Sequence, residues 1–379
     1  MTDAVIVEAI RTPVGKRNGG LSGVHPADLS AHVLTALVGR AGVDPTEIDD
    51  VIWGCVSQIG EQTYDIARTA LLSAGWPRTI TGVTVDRQCG SSQQAVHFAA
   101  AGLVAGHYDL VVAGGVESMS RVPLGSSVAD QHPYPASFRD RFGSPNQGIG
   151  AEMIAQRWGL SRTQLDEFAL RSHELAAAAA DGGLFENEIT PVTTQTGTVG
   201  QDEGIRRGGS VQSLAGLKTV FKPDGVISAG NASQISDGAA ALLMTTAEKA
   251  AALGLSPIAR VHTVALAGDD PVTMLTAPIP ATEKALRRSG LTIEDIGVFE
   301  VNEAFAPVPL AWLAETGAAP DRVNPRGGAI ALGHPLGGSG ARLMTTMLSH
   351  MRDNGIRYGL QTMCEGGGQA NATILELLG

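Results

Sequence analysis

Short apolar runs alternate with helix-like stretches along the first 120 residues of the chain. Each apolar run has the length of one buried strand, and the stretches between runs have the hydrophobic period of a helix. Strands that alternate with helices in this way predict a mainly parallel sheet with helices on both faces. The strand-like runs are residues 5–7, 51–54, 82–85 and 110–114, and the helix-like stretches are residues 27–38, 66–72 and 96–103.

The last 120 residues repeat this alternation. The order of elements matches that of the first 120 residues, although the letters do not. Two similar halves and two unrelated domains both remain open from the pattern alone. The strand-like runs here are residues 258–264, 298–301, 358–364 and 372–378, and the helix-like stretches are residues 282–288 and 343–351.

The middle of the chain has a different character. Residues 121–250 are rich in Gly, Pro and Ser, with helices predicted near residues 151–158 and 163–180 and no clear strand pattern. We therefore expect an inserted loop domain that lies over one face of the core. The predicted division is an N-terminal half at residues 1–120, the loop domain at 121–250, and a C-terminal half at 251–379.

Composition narrows the class of protein. A chain of 379 residues is too long for one small hydrophobic core, so two or more domains or a duplicated unit are expected. Three cysteines favour a reducing compartment over a disulfide framework. The formal charge of −11 argues against general affinity for nucleic acid, and no apolar run has the length of a membrane span or a secretory signal. We expect a cytoplasmic protein that binds neither nucleic acid nor membrane.

Cys89 is the strongest candidate for a nucleophile. It lies between a predicted strand and a predicted helix, so its sulfur is expected near a helix N-terminus, where the reactive thiolate is favoured. A free cysteine is most often a buried structural residue. The small residues Gly90, Ser91 and Ser92 that follow it favour a groove over a packed core.

Three further residues lie beside glycines or at strand ends. His334 precedes Pro335, which keeps it in an extended turn, and its imidazole suits removal of a thiol proton. Cys364 ends a predicted strand and runs into three glycines, whose N–H groups could face an oxyanion. Asn302 follows another strand and could hold a water or a carbonyl oxygen, although such a residue is usually a turn former.

Together these segments resemble the thiolase family, the acetyl-CoA C-acyltransferases, over essentially the whole chain. The resemblance implies an α/β thiolase fold, with two similar βαβαβαββ halves that form a five-layer αβαβα core. It also implies that the inserted loop domain binds coenzyme A (CoA). The matching segments are residues 87–91, 229–233, 236–240, 302–306, 333–340 and 364–368.

The resemblance assigns a role to each catalytic residue. Cys89 is the acylated nucleophile, and His334 is its activating base. His334 and a water held by Asn302 stabilise the enolate oxygen of acetyl-CoA. Cys364 protonates that enolate and later deprotonates the incoming CoA thiol. The backbone N–H groups of Cys89 and Gly366 form a second oxyanion hole.

The resemblance also implies the ligands and partners. The substrates are a 3-ketoacyl-CoA and CoA, with no permanently bound cofactor and no metal, and the assembly is a homo-oligomer, either a dimer or a tetramer. The adjacent Arg206 and Arg207 supply the local positive charge that a phosphate-bearing ligand requires. The residues that match positions near CoA are Arg206, Ser213, Ser233, Ala304 and Phe305.

The chain departs from the family pattern at several positions. Asp86 stands where the family usually has Asn, Ser92 where Gly is common, and Glu365 where an apolar residue is usual. Asn146-Gln147 replaces the His-Met pair of biosynthetic acetoacetyl-CoA thiolases, which favours a degradative 3-ketoacyl-CoA thiolase. Residues 15–25 are similar to actinobacterial thiolases of sterol breakdown, so a steroid-derived or other bulky acyl chain is one hypothesis.

Other functions remain open at this point. The biosynthetic reaction is one, and a decarboxylating ketoacyl synthase of the same duplicated fold is another. Cys89, His334 and Cys364 could instead be a Cys₂His zinc site, although no close Cys-x-x-Cys spacing supports it. A non-catalytic acyl-CoA-binding protein is the last alternative.

Overall fold

One continuous sheet of ten strands runs through residues 3–128 and 131–378, the ranges that this computed structural model describes. The strands are β1 (Ala4–Arg11), β2 (Gly15–Lys16), β3 (Asp50–Gly54), β4 (Thr81–Val85), β5 (Leu110–Ser118), β6 (Val192–Thr194), β7 (Gly197–Val199), β8 (Ser236–Thr246), β9 (Ala259–Gly268), β10 (Val298–Val301), β11 (Tyr358–Glu365) and β12 (Gln369–Leu377), of which β6 and β7 form a separate hairpin. The helices are α1 (Pro26–Ala41), α2 (Ile66–Ser73), α3 (Ser91–Ala105), α4 (Ala136–Phe142), α5 (Gln147–Arg157), α6 (Arg162–Asp181), α7 (Val211–Ala215), α8 (Ala247–Ala252), α9 (Pro278–Ser289), α10 (Pro307–Thr316), α11 (Ala329–Leu332) and α12 (Leu336–Asn354).

The two halves of the sheet have the same strand order. The N-terminal half is β4-β3-β5-β8-β1, and the C-terminal half is β10-β11-β12-β9. In the N-terminal half, β3 pairs in parallel with β4 and β5, and β8 pairs antiparallel with β5 and β1. In the C-terminal half, β10 pairs in parallel with β11, and β12 pairs antiparallel with β11 and β9. The counterpart of β4 is reduced to one parallel bridge between Val323 and Phe299. The expected duplication is confirmed.

Five layers follow from how the helices pack. α1 and α2 cover the outer face of the N-terminal half-sheet, and α9 covers the outer face of the C-terminal half-sheet. α3 and α12 pack against each other and against strands of both halves. α12 is buried on nearly all sides from Leu336 to Ser349, as a central helix must be. The two half-sheets are joined to each other where β1 pairs with β9, at Val5 and Ile6.

Strand β8 corrects one sequence expectation. We predicted no clear strand within residues 121–250, but Ser236–Thr246 is buried along its whole length and pairs with both β1 and β5. Its run of Ala, Leu and Met residues favours helices by intrinsic propensity, and tertiary packing overrides that preference. This segment therefore belongs to the N-terminal half-sheet. The three-part division of the chain as a whole stays a prediction.

Candidate active site

The loop between β4 and α3 holds Cys89 in a constrained turn. Cys89 lies two residues before Ser91, the first residue of α3. Its neighbour Gln88 has a φ of 49°, a left-handed conformation that costs a residue with a side chain about 1–3 kcal/mol. The Asp86 carboxylate accepts a hydrogen bond from the Gln88 N–H at 2.7 Å and holds that turn. This contact gives the unusual aspartate a structural role.

The Cys89 thiol differs electrostatically from the sequence expectation. Burial raises its pKa well above the usual value, and the nearby Cys364 and Glu365 raise it further. We expected the N-terminus of α3 to favour the thiolate, but only 6% of Cys89 is exposed and desolvation outweighs the helix. The thiol therefore needs a base to become reactive.

His334 has the tautomer that such a base requires. The Ser339 hydroxyl donates to the Pro335 carbonyl at 2.8 Å, so its oxygen is free to accept from the His334 Nδ1–H at 2.6 Å. The lone pair is consequently on Nε2. Burial, together with the positive charge of Arg342, lowers the His334 pKa to about 3. The imidazole is therefore neutral at physiological pH, and its Nε2 carries no proton.

Asn302 lies beside this lone pair. Its amide nitrogen is 3.4 Å from His334 Nε2, and its backbone N–H donates to the Thr362 carbonyl at 3.1 Å. The side-chain oxygen Oδ1 is buried and has no partner among the described residues. A buried acceptor without a partner is a place where an ordered water binds.

Cys364 and Gly366 lie at the end of β11. Burial, followed by the charge of Glu365, raises the Cys364 pKa to about 12, so this thiol holds its proton. The turn after it needs glycines, because Gly367 and Gly368 have φ angles of 84° and 77°. Within the described chain, the N–H groups of Cys89 and Gly366 donate to no other group. Both N–H groups remain available to an oxyanion.

Most of the predicted site residues meet at one cavity of about 160 Å³. Gln147 also reaches this cavity, while its neighbour Asn146 caps α5 by accepting from two backbone N–H groups. Asn302 contacts the cavity through His334, and Gly366 lies beside Gln88. The predicted residues that line the cavity are Cys89, Ser233, Ala304, Phe305, His334 and Cys364.

A second cavity of about 520 Å³ adjoins the first and shares Ser233 with it. Its lining includes Arg206, which was predicted, and Lys16 and Arg17, which sequence reasoning missed as ligand-binding candidates. The sequence did contain a signal for them, because Lys16 and Arg17 are adjacent basic residues in a chain that is acidic overall. Ser213 lines neither cavity, because its hydroxyl donates to a backbone carbonyl within the cap of α7.

Two other residues near the site escaped sequence reasoning. The Ser236 hydroxyl accepts from the His334 backbone N–H at 3.1 Å. The Glu117 carboxylate accepts from the Gly337 N–H at 2.8 Å and so fixes the turn that follows His334. Neither residue lies close in sequence to the residue that it positions. Contacts across the fold leave no local signal.

The comparisons with known proteins decide the family. Residues 4–248 match the thiolase N-terminal domain, and residues 255–377 match the thiolase C-terminal domain. The chain belongs to the thiolase family. This thiolase is therefore an acyltransferase, and the fold expected from its motifs is confirmed.

Similar proteins cover the whole length of this thiolase. It is 50% identical to the steroid 3-ketoacyl-CoA thiolase FadA6 of Mycobacterium tuberculosis, over 100% of this chain and 95% of that protein. It is 46% identical to a 3-ketoacyl-CoA thiolase of Aeromonas hydrophila, over 99% of this chain and 100% of the relative. The crystal structure of the Bacillus anthracis acetyl-CoA acetyltransferase superimposes with a TM-score of 0.92 at 37% identity, covering 100% of this chain and 99% of that chain.

The zinc-site alternative gains no support from the geometry of the described residues. In residues 3–128 and 131–378, no group of three or more His, Cys, Asp or Glu side chains is arranged to hold a metal ion. None of the helices described is both long and apolar enough to cross a membrane. The residues of the proposed zinc site are instead arranged around a cavity, which is lined by Cys89, His334 and Cys364.

Proposed function

We propose that this thiolase cleaves a 3-ketoacyl-CoA with CoA, giving acetyl-CoA and a shortened acyl-CoA. The observation that carries the proposal is the meeting of two thiols and one neutral imidazole at a single cavity. Cys89 is the nucleophile, because it precedes the first turn of α3 with an N–H free for an oxyanion. Cys364 is the acid, because burial keeps it protonated.

The first half-reaction forms an acyl group on Cys89. His334 Nε2 removes the thiol proton, and the thiolate attacks the 3-keto carbon. The bond between C2 and C3 then breaks, and its electrons form the enolate of acetyl-CoA. The His334 imidazolium and a water on Asn302 stabilise the enolate oxygen, while Cys364 delivers its proton to C2. Acetyl-CoA leaves, and Cys364 is left as a thiolate.

The second half-reaction transfers the acyl group to CoA. The Cys364 thiolate takes the proton from the CoA thiol, and the CoA sulfur attacks the thioester carbonyl. The N–H groups of Cys89 and Gly366 receive the negative charge of the tetrahedral intermediate. Cys89 leaves as a thiolate and regains its proton from His334. Every group is then back in its starting state.

We place the phosphates of CoA in the basic cavity beside the catalytic one. Lys16, Arg17 and Arg206 line it, and the two cavities share Ser233. The pantetheine arm then passes between Ala304 and Phe305 toward Cys89, in keeping with the lining of the catalytic cavity. Arg207 is less suited, because it forms an ion pair with Asp181 at 2.6 Å. The inferred role of Ser213 as a CoA contact stays a prediction.

The degradative direction and a bulky acyl chain are the finer parts of the proposal. Gln147, one of the two positions that distinguish biosynthetic thiolases by resemblance, lines the catalytic cavity. Leu124 also lines the cavity while 51% of it is exposed, so the lining extends to the protein surface. The identity to a steroid 3-ketoacyl-CoA thiolase supports steroid-derived chains. Turnover of acetoacetyl-, long-chain and steroid-side 3-ketoacyl-CoA substrates, compared directly, tests this assignment.

The decisive experiment traps the acyl group. Cys364→Ala removes the group that protonates C2 in the first half-reaction and deprotonates the CoA thiol in the second, so slow acylation of Cys89 is expected without turnover. Mass spectrometry of this variant after incubation with a 3-ketoacyl-CoA should show the acyl mass on the peptide that contains Cys89. Cys89→Ala should show no adduct and no turnover. An adduct on another residue, or turnover by Cys89→Ala, contradicts the assignment.

We also propose that the protein is a cytoplasmic homo-oligomer without a permanent cofactor. Strand β4 is a sheet edge, and Leu72, Val83 and Phe98 around it are each more than 40% exposed. A second copy would cover this edge. Three free cysteines suit a reducing compartment. Light scattering of the purified protein distinguishes a dimer from a tetramer, and a monomer would contradict the proposal.

A further inference from the structure

Glu365 is a buried carboxyl that the fold leaves without a partner. The residue has no exposed surface, and neither of its carboxyl oxygens has a hydrogen bond of ordinary geometry among the described residues. The backbone N–H of Asn371 lies near enough to favour the ionised form. Such a buried group costs about 1–3 kcal/mol. Unpartnered buried groups of this kind concentrate at functional sites.

The carboxyl of Glu365 lies directly behind the nucleophile. An ideal Cβ on Gly90 would lie 2.1 Å from Glu365 Oε1, so the carboxyl fits only because residue 90 is glycine. Gly90 is bonded to Cys89 and is the N-cap of α3. In β11, Glu365 is also bonded to Cys364. One ionisable group therefore adjoins both reactive thiols.

A second carboxylate shows that the fold can satisfy such a group. Glu117 lies at the corresponding end of β5, in the other half of the molecule. It accepts hydrogen bonds from the N–H groups of Val56, Ser57 and Gly337 and from the Gln62 amide, at 2.7–3.0 Å. Glu117 therefore holds separate loops together, whereas the Glu365 carboxyl makes no comparable set of hydrogen bonds. A structural role does not explain Glu365.

The charges around Glu365 act on it only through space. On the nucleophile loop, Arg87 favours the ionised carboxylate and Asp86 opposes it. Arg87 donates to Gln369 at 3.2 Å, and its Nε is buried without a partner. It is not among the ion pairs found in the described chain. The two thiols respond to the charge of Glu365, and His97 on α3 responds to the charge of Arg87.

We propose that Glu365 is a positioning residue that controls the reactivity of Cys89 through its own ionisation. While the carboxyl is neutral, Cys89 can give its proton to His334. When the carboxyl is charged, its field holds the proton on Cys89. The carboxyl can change state without breaking a hydrogen bond of ordinary geometry, and the nearby Asn371 N–H favours its charged form. The inference rests on the proposed function for its catalytic meaning but not for its effect on the thiol.

The change of state falls on the alkaline side of neutrality. Burial raises the Glu365 pKa to about 8, against the opposing charge of Arg87. The carboxyl is therefore neutral below this value and ionised above it. The negative charge then raises the Cys89 pKa further, in the direction already set by burial. The rise of Cys89 reactivity with pH should therefore flatten while Glu365 ionises and resume once the carboxyl is fully charged.

Alkylation of Cys89 by iodoacetamide, followed by mass spectrometry of its peptide, tests this without any substrate. In the native protein, the logarithm of the rate should rise with pH, flatten over about one pH unit above about pH 8 as Glu365 ionises, and then rise again. In Glu365→Gln it should keep rising and be about tenfold faster near pH 9.5, the ratio that one pKa unit of Coulomb interaction produces. Identical pH profiles for the two proteins would overturn the proposal.

Two further variants keep the result interpretable. Glu376→Gln is the matched control in the same hairpin, because its carboxylate pairs with Arg260 and Arg357 instead. It should follow the native profile, and a shift equal to that of Glu365→Gln would overturn the proposal. Arg87→Gln should move the flattening to higher pH, and no movement would count against it even if Glu365→Gln fails to fold. A missing acyl adduct on Cys89 with these profiles intact would refute the reaction alone.

Discussion

The two halves of this thiolase place different side chains at matching positions. Cys89 lies two residues before the first residue of α3, and His334 lies two residues before the first residue of α12. The strand registers oppose Gly54 to Gly115 and Val301 to Thr362. Cys55 follows Gly54 by one residue, as Asn302 follows Val301. Glu117 follows Gly115 by two residues, as Cys364 follows Thr362.

The difference between the halves shows how a duplicated scaffold makes one active site. The N-terminal half supplies the nucleophile, while its Glu117 position holds a structural carboxylate with four donors. The C-terminal half uses the equivalent position for Cys364 and adds His334 and Asn302. Because α3 and α12 are neighbours in the central layer, the loops that precede them reach the same cavity. Symmetry positions the residues, and divergence gives each half its own chemistry.

Replacing His334 gives the largest expected effect on this division of labour. His334→Ala should lower kcat/KM by about 10²–10⁴-fold, the contribution of a general base. Cys89 alkylation near neutral pH should slow as well, because burial leaves the thiol protonated without its base. Steady-state kinetics and the alkylation rate measure both effects. His262→Ala, on β9, is the control, and full activity of His334→Ala would remove the histidine from the mechanism.

Ser92 and Gly337 occupy matching positions, as the second residues of α3 and α12. Replacing them should give the next largest effect, which is on the free energy of unfolding. An Ala Cβ at Gly337 would lie 2.5 Å from the Val116 carbonyl oxygen and 2.7 Å from Cys55 Cα. These are backbone atoms that cannot yield cheaply, so Gly337→Ala should reduce the free energy of unfolding by about 3 kcal/mol. Ser92→Ala at the equivalent position loses one hydrogen bond from the Ala341 N–H, worth about 1 kcal/mol.

Urea unfolding of both variants measures this comparison. Equal losses would mean that the two inner helices are not packed differently at their first turns. A larger loss for Ser92→Ala than for Gly337→Ala would contradict the close approach of α12 to β3 and β5. The m-value should stay unchanged in Ser92→Ala, since one hydrogen bond alters little exposed surface.

The sequence predicted those features that depend on local chemistry. Cys89, His334 and Cys364 were identified because glycines and strand ends surround them, and those neighbours are visible in the chain. Strand β8 was missed because its alanines and leucines favour a helix until β1 and β5 pair with it. Its context lies more than a hundred residues away in the chain.

The electrostatics of the site could not be predicted for the same reason. A helix N-terminus favours a thiolate, and that local rule was applied to Cys89. The burial that reverses it comes from Met119, Leu336 and Met363, which pack around Cys89 from three separate segments of the chain. Glu365 had no account in the sequence because Gly90, its contact, lies in the other half of the molecule.

Ser339 tests the smallest and most specific part of the comparison. It is the only acceptor of the His334 Nδ1–H among the described residues, and it fixes the lone pair on Nε2. Ser339→Ala should let the proton occupy either nitrogen and lower kcat by up to about tenfold, the worth of one hydrogen bond. KM should change little, since the hydroxyl does not line either cavity.

Ser349→Ala is the matched control, because Ser349 is a buried serine of the same helix that accepts from Arg326 instead. A loss of kcat that is equal in the two variants would assign the effect to the packing of α12. A loss confined to Ser339→Ala, at unchanged thermal stability, would assign it to the tautomer of His334.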